Sequence, residues 1–300
     1  MNERTFTIVN PAAGGGRCGR LAPAALARLR EHGLLLDVVA TSSAGHAVSL
    51  AREAYAQGYR RFLAVGVDGT AHEIINGVFP QAMKMGRITL GFLPQGTGNS
   101  FLRDFTTEGS AGAAQALVTG RVRPADLVRL THAGGEIYSL NLVSLGFAAD
   151  VAAVVKRRFK PLGELGYLLG IFACLARLRR RAFPLRLDGE EDWDRRRYLF
   201  LSFNNSKFTG GNMMIAPQAD PADGLIEVVR WGPIGRLGLV RNLPRLYDGT
   251  HIEHPLASRR AARRVEFDLD APVDVMIDGE ALTLQCRSLE ILPAALDVCI

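Results

Sequence analysis

Three stretches of the chain put glycines, hydroxyls and carboxylates where phosphate chemistry needs them. In Leu63-Ala64-Val65-Gly66-Val67-Asp68-Gly69-Thr70-Ala71-His72-Glu73 an apolar run stops at two glycines flanking an acid, and a Thr opens an apolar-periodic segment. That is the pattern of a strand, a tight turn and a helix start. Glycines let the backbone approach an anion, helix-start N–H groups point at it, and an acid such as Asp68 can hold a metal directly or through water. A capped βα turn with no ligand has the same appearance, so this stretch alone leaves both readings open. The others are Asn10-Pro11-Ala12-Ala13-Gly14-Gly15-Gly16-Arg17 and Pro94-Gln95-Gly96-Thr97-Gly98-Asn99, each after a strand-like run. The first lacks the Lys-Ser/Thr ending of a Walker A loop, and the second lacks the third glycine of a dinucleotide fingerprint. Three glycine loops on successive βα units nevertheless fit a phosphate cradle built from backbone N–H groups.

The elements that must position these loops alternate. Strands are expected at residues 5–9, 35–39, 62–65 and 88–93, with helices at 21–32, 43–57, 73–79 and 112–119. Such alternation implies a doubly wound parallel sheet, whose ligands bind at the carboxyl ends of the strands. From Asp126 onward strand-like runs dominate, at 126–130, 137–142, 198–203, 225–230, 264–269, 273–277 and 282–292. Several alternate polar and apolar residues, as antiparallel sheets with one wet face do. The expected architecture is α/β: a nucleotide domain over residues 1–125, then a β-rich, sandwich-like domain over 126–300 whose end is free to pack back on the first. One helical insertion, 162–181, carries an apolar centre between Lys156-Arg157-Arg158 and Arg177 to Arg181. Its centre is shorter than the roughly 20 apolar residues a bilayer requires, so it reads as a core or interfacial helix.

Hydrophobic residues at 48% and charged residues at 22% of 300 describe a globular chain rather than a disordered one. A net charge of +6 makes anionic partners plausible without choosing among them. Cys18, Cys174, Cys286 and Cys299 form no CxxC pair, which argues against a zinc knuckle and reads as buried small hydrophobes in a reducing cytoplasm. The N-terminus enters a strand-like run at once, with no signal-peptide pattern.

Taken together, Val9-Asn10-Pro11 with Gly14-Gly15-Gly16, Gly66-Val67-Asp68-Gly69-Thr70 with Glu73 and Asn76-Gly77, and Leu93-Pro94-Gln95-Gly96-Thr97-Gly98-Asn99 resemble the motifs of the diacylglycerol kinase and sphingosine kinase group of lipid kinases. In the second half Gly210-Gly211, Ala216-Pro217, Asp223-Gly224 and Asp278-Gly279-Glu280 fall in that family's order. The resemblance implies transfer of the γ-phosphoryl of ATP, with Mg2+, to a hydroxyl of a lipid presented at a membrane surface. It places the nucleotide on Asn10, Pro11, Gly14, Thr41, Gly66, Val67, Asp68, Gly69, Thr70, Ala71, His72 and Thr97. It makes Asp68 the organiser of the catalytic magnesium, maps a structural magnesium onto Asp220, Asp223 and Leu225, and makes Glu280 the general base. Arg17, Arg103, Lys156 and Lys207 are candidates for neutralising phosphate charge. A cytoplasmic protein with peripheral membrane contact is expected. The reading allows a homodimer and includes no nucleic acid.

Two positions depart from the family pattern. Val67 stands where the second glycine of GGDGT is usual, and Ser100 where an acid often follows the third loop's Asn. A β-branched residue restricts the backbone, so Val67 raises the alternative of a protein that binds nucleotide or lipid without turnover. A kinase acting on a soluble metabolite is the other alternative, since NAD kinases share the GGDG core. His72 replaces the commoner Asn and reads either as a group stacking near the nucleotide or as a helix cap. Asp278-Gly279 between two alternating runs is also a strong type I′ hairpin signal. His251 and His254 read as surface or loop residues, and the arginine runs 195–197 and 259–264 as solvated faces.

Overall fold

The computed structural model describes residues 4–66, 68–95, 99–106, 108–159 and 163–300, with 163–168 described by backbone alone. The chain forms two compact units, residues 1–127 with 293–300, and residues 128–292. The N-terminal unit alternates β1 (Thr5–Val9), α1 (Arg17–Glu31), β2 (Leu36–Ala40), α2 (His46–Ala56), β3 (Arg61–Gly66), α3 (Asp68–Val78), α4 (Ala82–Met85), β4 (Thr89–Pro94) and α5 (Gly109–Thr119). β5 (Val122–His132) then leads out of the unit, so Arg123-Pro124-Ala125, where the sequence suggests a border, lies inside a strand. The C-terminal unit contains β6 (Gly135–Ser139), β7 (Leu142–Gly146), α6 (Phe147–Val154), α7 (Gly163–Ala176), β8 (Arg181–Ala182), β9 (Leu185–Leu187), β10 (Arg197–Tyr198) and β11 (Phe200–Asn204). It continues through β12 (Phe208–Thr209), β13 (Met213–Met214), β14 (Ile226–Trp231), α8 (Arg236–Asn242), α9 (Arg245–Asp248), β15 (Ala257–Ala262), β16 (Arg264–Phe267), β17 (Val273–Ile277) and β18 (Glu280–Leu284), and β19 (Cys286–Cys299) runs on into the first unit.

In the N-terminal unit β2, β1, β3, β4 and the end of β19 lie side by side, every pairing parallel. All carboxyl ends therefore share one edge. Two expected helices begin earlier than the sequence suggests. α1 starts at Arg17, directly after three glycines with positive φ. α3 starts at Asp68 itself, which puts the acid in the first helical turn rather than in a turn before it.

Helices α2 and α3 cross closely because small residues meet. α2 buries Ala47, Ala51 and Ala54, and a Cβ on Gly77 of α3 would fall 2.4 Å from the Val48 carbonyl oxygen and 2.9 Å from the Ala51 Cβ. α2 has no cap of its own. The Glu73 carboxylate supplies one from α3, accepting the N–H groups of Gly45 at 2.9 Å and Ala47 at 3.0 Å, which satisfies donors that a helix start leaves open.

The C-terminal unit is a two-layer sandwich. One layer is antiparallel in the order β15-β14-β11-β7-β17-β18. The other holds β9, β16 and the first part of β19, with β5 paired to β6. Residues of both layers share one core, including Val143, Phe203 and Ile277 from the first and Val265, Phe267 and Leu289 from the second. Phe203 and Phe267 meet edge to face at 5.4 Å, the arrangement that the ring quadrupoles favour. All four cysteines are buried and unpaired. Burial pushes the Cys286 thiol up to about 12, so it carries no thiolate reactivity at neutral pH.

Two expectations are corrected here. His251 is not a surface residue: it is fully buried, its ring 5.9 Å from Trp231 and its Nε2 3.0 Å from the Ile215 carbonyl. The arginine runs are not bare solvated faces. Arg259 pairs with buried Glu227, Arg260 with Glu190, Arg195 with Asp268 and Arg196 with Asp194.

Two stability measurements follow from this packing. Gly77→Ala gains up to about 1 kcal/mol of helix propensity but forces two helix backbones apart, at roughly 1–3 kcal/mol or more. A net loss read from the urea midpoint is expected, and an unchanged midpoint would contradict the close crossing. Asp37 accepts hydrogen bonds from Arg4 Nε at 2.7 Å and the Tyr59 hydroxyl at 2.8 Å. Those bonds, Arg4 first, hold its carboxyl down at about 2 against an ordinary 3.8. A depressed folded-state value stabilises fully above the ordinary range and is lost as pH falls through it toward 2. Arg4 is largely exposed, so the effect stays below about 1 kcal/mol. Asp37→Asn is expected to remove this acid-side step from a series of urea titrations.

Candidate active site

Each loop of the N-terminal unit is shaped by its own backbone. After β1 the Asn10 side chain accepts the Ala12 N–H at 3.1 Å, while the Asn10 N–H reaches across to Val65. Pro11 offers its carbonyl to Gly19 at the start of α1, where a Cβ would fall 3.1 Å from that oxygen. Thr41, following β2, donates its N–H to Val9 at 2.8 Å. Asn10, Pro11, Gly14, Thr41, Gly66 and the first turn of α3 thus gather at the carboxyl edge of the parallel sheet. Val67 and Thr97 lie outside the described residues.

The junction of β3 and α3 has the features of an anion site. The Thr70 hydroxyl is buried and has no hydrogen-bond partner among the described residues. A Cβ on Gly66 would sit 2.6 Å from that hydroxyl oxygen. Only glycine leaves this space open. The positive end of α3 lies at the same place. Asp68 in the first turn accepts the Ser100 N–H at 2.8 Å, which fixes one carboxylate oxygen against the loop after β4. Asp68, Gly66, Pro94 and Asn99 line a small cavity there. This is a donor set suited to phosphate with a carboxylate beside it for a divalent cation, so the residues present fit a nucleotide and its magnesium.

Other members of the same motif are architectural. Glu73 is spent on the start of α2, Gly77 on the helix crossing, and the Asn76 amide donates to the His72 carbonyl at 2.8 Å. His72 lies in the second turn of α3, 3.4 Å from the Asn76 amide nitrogen, so the helix-cap reading of this residue is corrected.

In the C-terminal unit the relevant residues share one end of the six-stranded sheet. Glu227 pairs with Asn204, Asn204 with Leu142, and Ile277 with both Val143 and Glu280. That register sets the turn before β18 and the loop entering β14 along the same edge. Asp278 and Gly279 both have positive φ, 47° and 93°, as a type I′ turn requires. The turn also does more. The buried Asp278 carboxylate accepts the Ser139 hydroxyl at 2.6 Å and the N–H groups of Leu140 at 3.0 Å, Asn141 at 2.9 Å and Leu142 at 3.1 Å. Asn205 donates to the Leu140 carbonyl at 2.8 Å, and Ser206 bonds the Asn141 side chain. Glu280, two residues on, is exposed. Lys156 donates its Nζ to the Ala281 carbonyl at 2.8 Å.

Asp220, Asp223 and Leu225 form one small loop. Asp220 Oδ1 accepts the Ala222 N–H at 3.1 Å, and Asp223 Oδ1 accepts the Leu225 N–H at 2.9 Å, with Gly224 at φ 73° between them. No group of three or more His, Cys, Asp or Glu side chains arranged to hold a metal ion appears among the described residues. Two carboxylates and a carbonyl are nonetheless the hard oxygen donors that magnesium takes alongside water.

Residues 4–130 match the diacylglycerol kinase catalytic domain, and residues 141–300 match the YegS C-terminal NAD kinase beta sandwich-like domain. The chain is 30% identical over 298 residues to the diacylglycerol kinase of Mycobacterium tuberculosis strain H37Rv, covering 98% of this chain and 94% of that one. The chain belongs to the diacylglycerol kinase family. The diacylglycerol kinase of Bacillus subtilis strain 168 is 27% identical over 281 residues, 93% of this chain and 90% of that relative. A crystal structure of a diacylglycerol kinase from Bacillus anthracis strain Sterne shares the fold, with a TM-score of 0.70 at 20% identity over 99% of this chain and 96% of that one. As a kinase of this family the chain is an enzyme, and ATP use comes with the family. Among the described residues no helix is long and apolar enough to cross a membrane.

Two roles were not visible in the sequence. Nothing before the structure marked Glu73 as a cap for α2. Nor did anything mark Asp126, a buried acid at the end of the first unit that accepts the Ala294 N–H at 2.6 Å. Asp278 was visible only as a turn residue. Asp278→Asn sets an amide donor against donors already in place, and a loss of about 1–3 kcal/mol in urea unfolding is expected. Ser139→Ala should cost less, about 0.5–1.5 kcal/mol, because it removes a single bond.

Proposed function

We propose that the enzyme transfers the γ-phosphoryl group of ATP, with magnesium, to a hydroxyl of diacylglycerol or a related lipid. The observation that carries the nucleotide half is the buried Thr70 hydroxyl, without a described partner beside a glycine that cannot accept a Cβ, at the start of α3. In this reading the β-strand ends hold the phosphates through N–H groups of the Asn10–Gly14 loop and of the Gly66–His72 turn. Asp68, steadied by the Ser100 N–H, would hold the magnesium. When bound, the ion neutralises charge on the phosphates, which is most of what phosphoryl transfer asks of a protein besides in-line positioning.

Glu280 takes the proton of the lipid hydroxyl. It is exposed beside a turn pinned by Asp278 and by Lys156, so its backbone is anchored while the carboxylate stays open to solvent. Asp220, Asp223 and the Leu225 carbonyl hold a second, structural magnesium. The lipid acceptor is supported by the names of the relatives, which are diacylglycerol kinases at up to 30% identity across nearly the whole chain. In the cell the protein works from the cytoplasm against a membrane surface.

The test is transfer of labelled phosphate from ATP and magnesium to dispersed diacylglycerol, sphingosine, phosphatidylglycerol or soluble NAD. Transfer to diacylglycerol is expected. Asp68→Ala and Glu280→Ala should each lose about 10²–10⁴-fold in kcat while unfolding like the wild type. Wild-type rates in both variants, or transfer to NAD alone, would overturn the proposal.

A further inference from the structure

Just beyond Thr41, at the carboxyl end of β2, one side chain stands outside the set of residues assigned to the nucleotide. His46, the first residue of α2, is half-buried, and its Nδ1 lies 3.0 Å from the backbone nitrogen of Ser42 and 3.0 Å from the Ser42 Oγ. A backbone N–H can only donate, so Nδ1 presents its lone pair and the proton of the neutral ring sits on Nε2. A doubly protonated ring would set one N–H against another. The Ser42 hydroxyl faces the same lone pair and is its second donor. Nε2–H has no hydrogen-bond partner among the described residues.

The loop gives this donor a fixed place. Thr41 donates its N–H to Val9 at 2.8 Å, the His46 N–H reaches the Ser43 carbonyl at 3.3 Å, and Glu73 of α3 takes the N–H groups of Gly45 and Ala47 on either side. Charge and spacing then decide what this end of the sheet can hold. Glu73 sets a carboxylate at the start of α2, so a phosphate there would meet a like charge where the helix dipole would otherwise favour it. The partnerless Thr70 hydroxyl marks the phosphate cradle at the junction of β3 and α3, and β1 separates β3 from β2, about 10 Å at the usual strand spacing. A nucleotide with its phosphates in that cradle reaches β2 with its nucleoside. Thr41-Ser42-Ser43-Ala44-Gly45 offers no aromatic or large apolar surface for a base to stack on. Small and polar, the loop suits the hydroxyls of a sugar.

We propose that His46 is a specificity-determining residue of the nucleotide site: its Nε2–H donates to a ribose hydroxyl, and Ser42 holds the ring in the tautomer that can do so. The proposal rests on the reading of the N-terminal unit as an ATP site. It adds the sugar that the site selects, a ribonucleotide over a deoxyribonucleotide.

The full chain is titrated calorimetrically with ATP, 2′-deoxy-ATP and 3′-deoxy-ATP in the presence of magnesium. The wild type should bind ATP more tightly than one of the deoxy analogues by about 2- to 10-fold, the worth of one hydrogen bond. His46→Asn keeps an oxygen near the Nδ1 position for the Ser42 N–H but has no donor at the Nε2 position. It should lose that same factor for ATP and nothing for the analogue that lacks the hydroxyl. His46→Gln, whose amide N–H reaches the Nε2 position, should recover part of the loss. An imidazole that served the loop alone would weaken all three nucleotides alike when replaced. That result, or unchanged ATP binding by His46→Asn, would overturn the proposal. So would equal wild-type affinity for the three nucleotides, a measurement that needs no variant to fold. A wild type that binds no ATP removes the kinase reading as well, whereas ATP binding and lipid phosphorylation without discrimination between the sugars removes this inference alone.

Discussion

One carboxylate organises the working end of the C-terminal unit. Asp278 accepts four hydrogen bonds, three of them from successive backbone N–H groups of Leu140, Asn141 and Leu142. Without it those donors would be buried and unsatisfied, at about 1–3 kcal/mol each. The same residue adopts a left-handed conformation that a side chain rarely takes, so the hydrogen bonds also offset the strain of a tight turn. The result is a rigid corner at which β7 starts, β17 ends and Glu280 emerges. Such a corner would suit the general-base role proposed for Glu280, because misplacement by an ångström costs rate steeply.

The motif residues of the first unit divide by the same logic. Glu73, Asn76 and Gly77 make α2 and α3 fit each other, and through them hold the start of α3 in place. Gly66, Asp68 and Thr70 face the open end of the sheet. Part of this motif is therefore scaffold, and spacing alone does not say which residues those are.

The parallel unit was readable because strand and helix periods alternate cleanly there and because glycines mark each carboxyl end. The hairpin at Asp278-Gly279 was readable for a local reason, the demand for two positive φ angles. What escaped was nonlocal. Helix α6 is apolar except for Asp150, and α8 and α9 are short, so none of the three shows a helical stripe. Several partners of the arginine runs lie far away in sequence, 32 residues for Arg259 with Glu227 and 70 for Arg260 with Glu190. His251 is buried by a tertiary contact with Trp231 that no window of sequence contains. The insertion at α7 was expected in part: it is helical, yet Phe172 faces outward.

The last strand carries a consequence for how the protein is made. β19 ends in the first unit, where Asp297 and Val298 pair with Thr89 and Leu90 of β4 and Asp297 bonds Arg87. Until those residues leave the ribosome, β4 has an open edge, and an unpaired apolar edge invites pairing with another chain. The unit that is synthesised first is thus completed last. Closure of the parallel sheet therefore waits on Asp297 and Val298, which are made after the whole C-terminal unit.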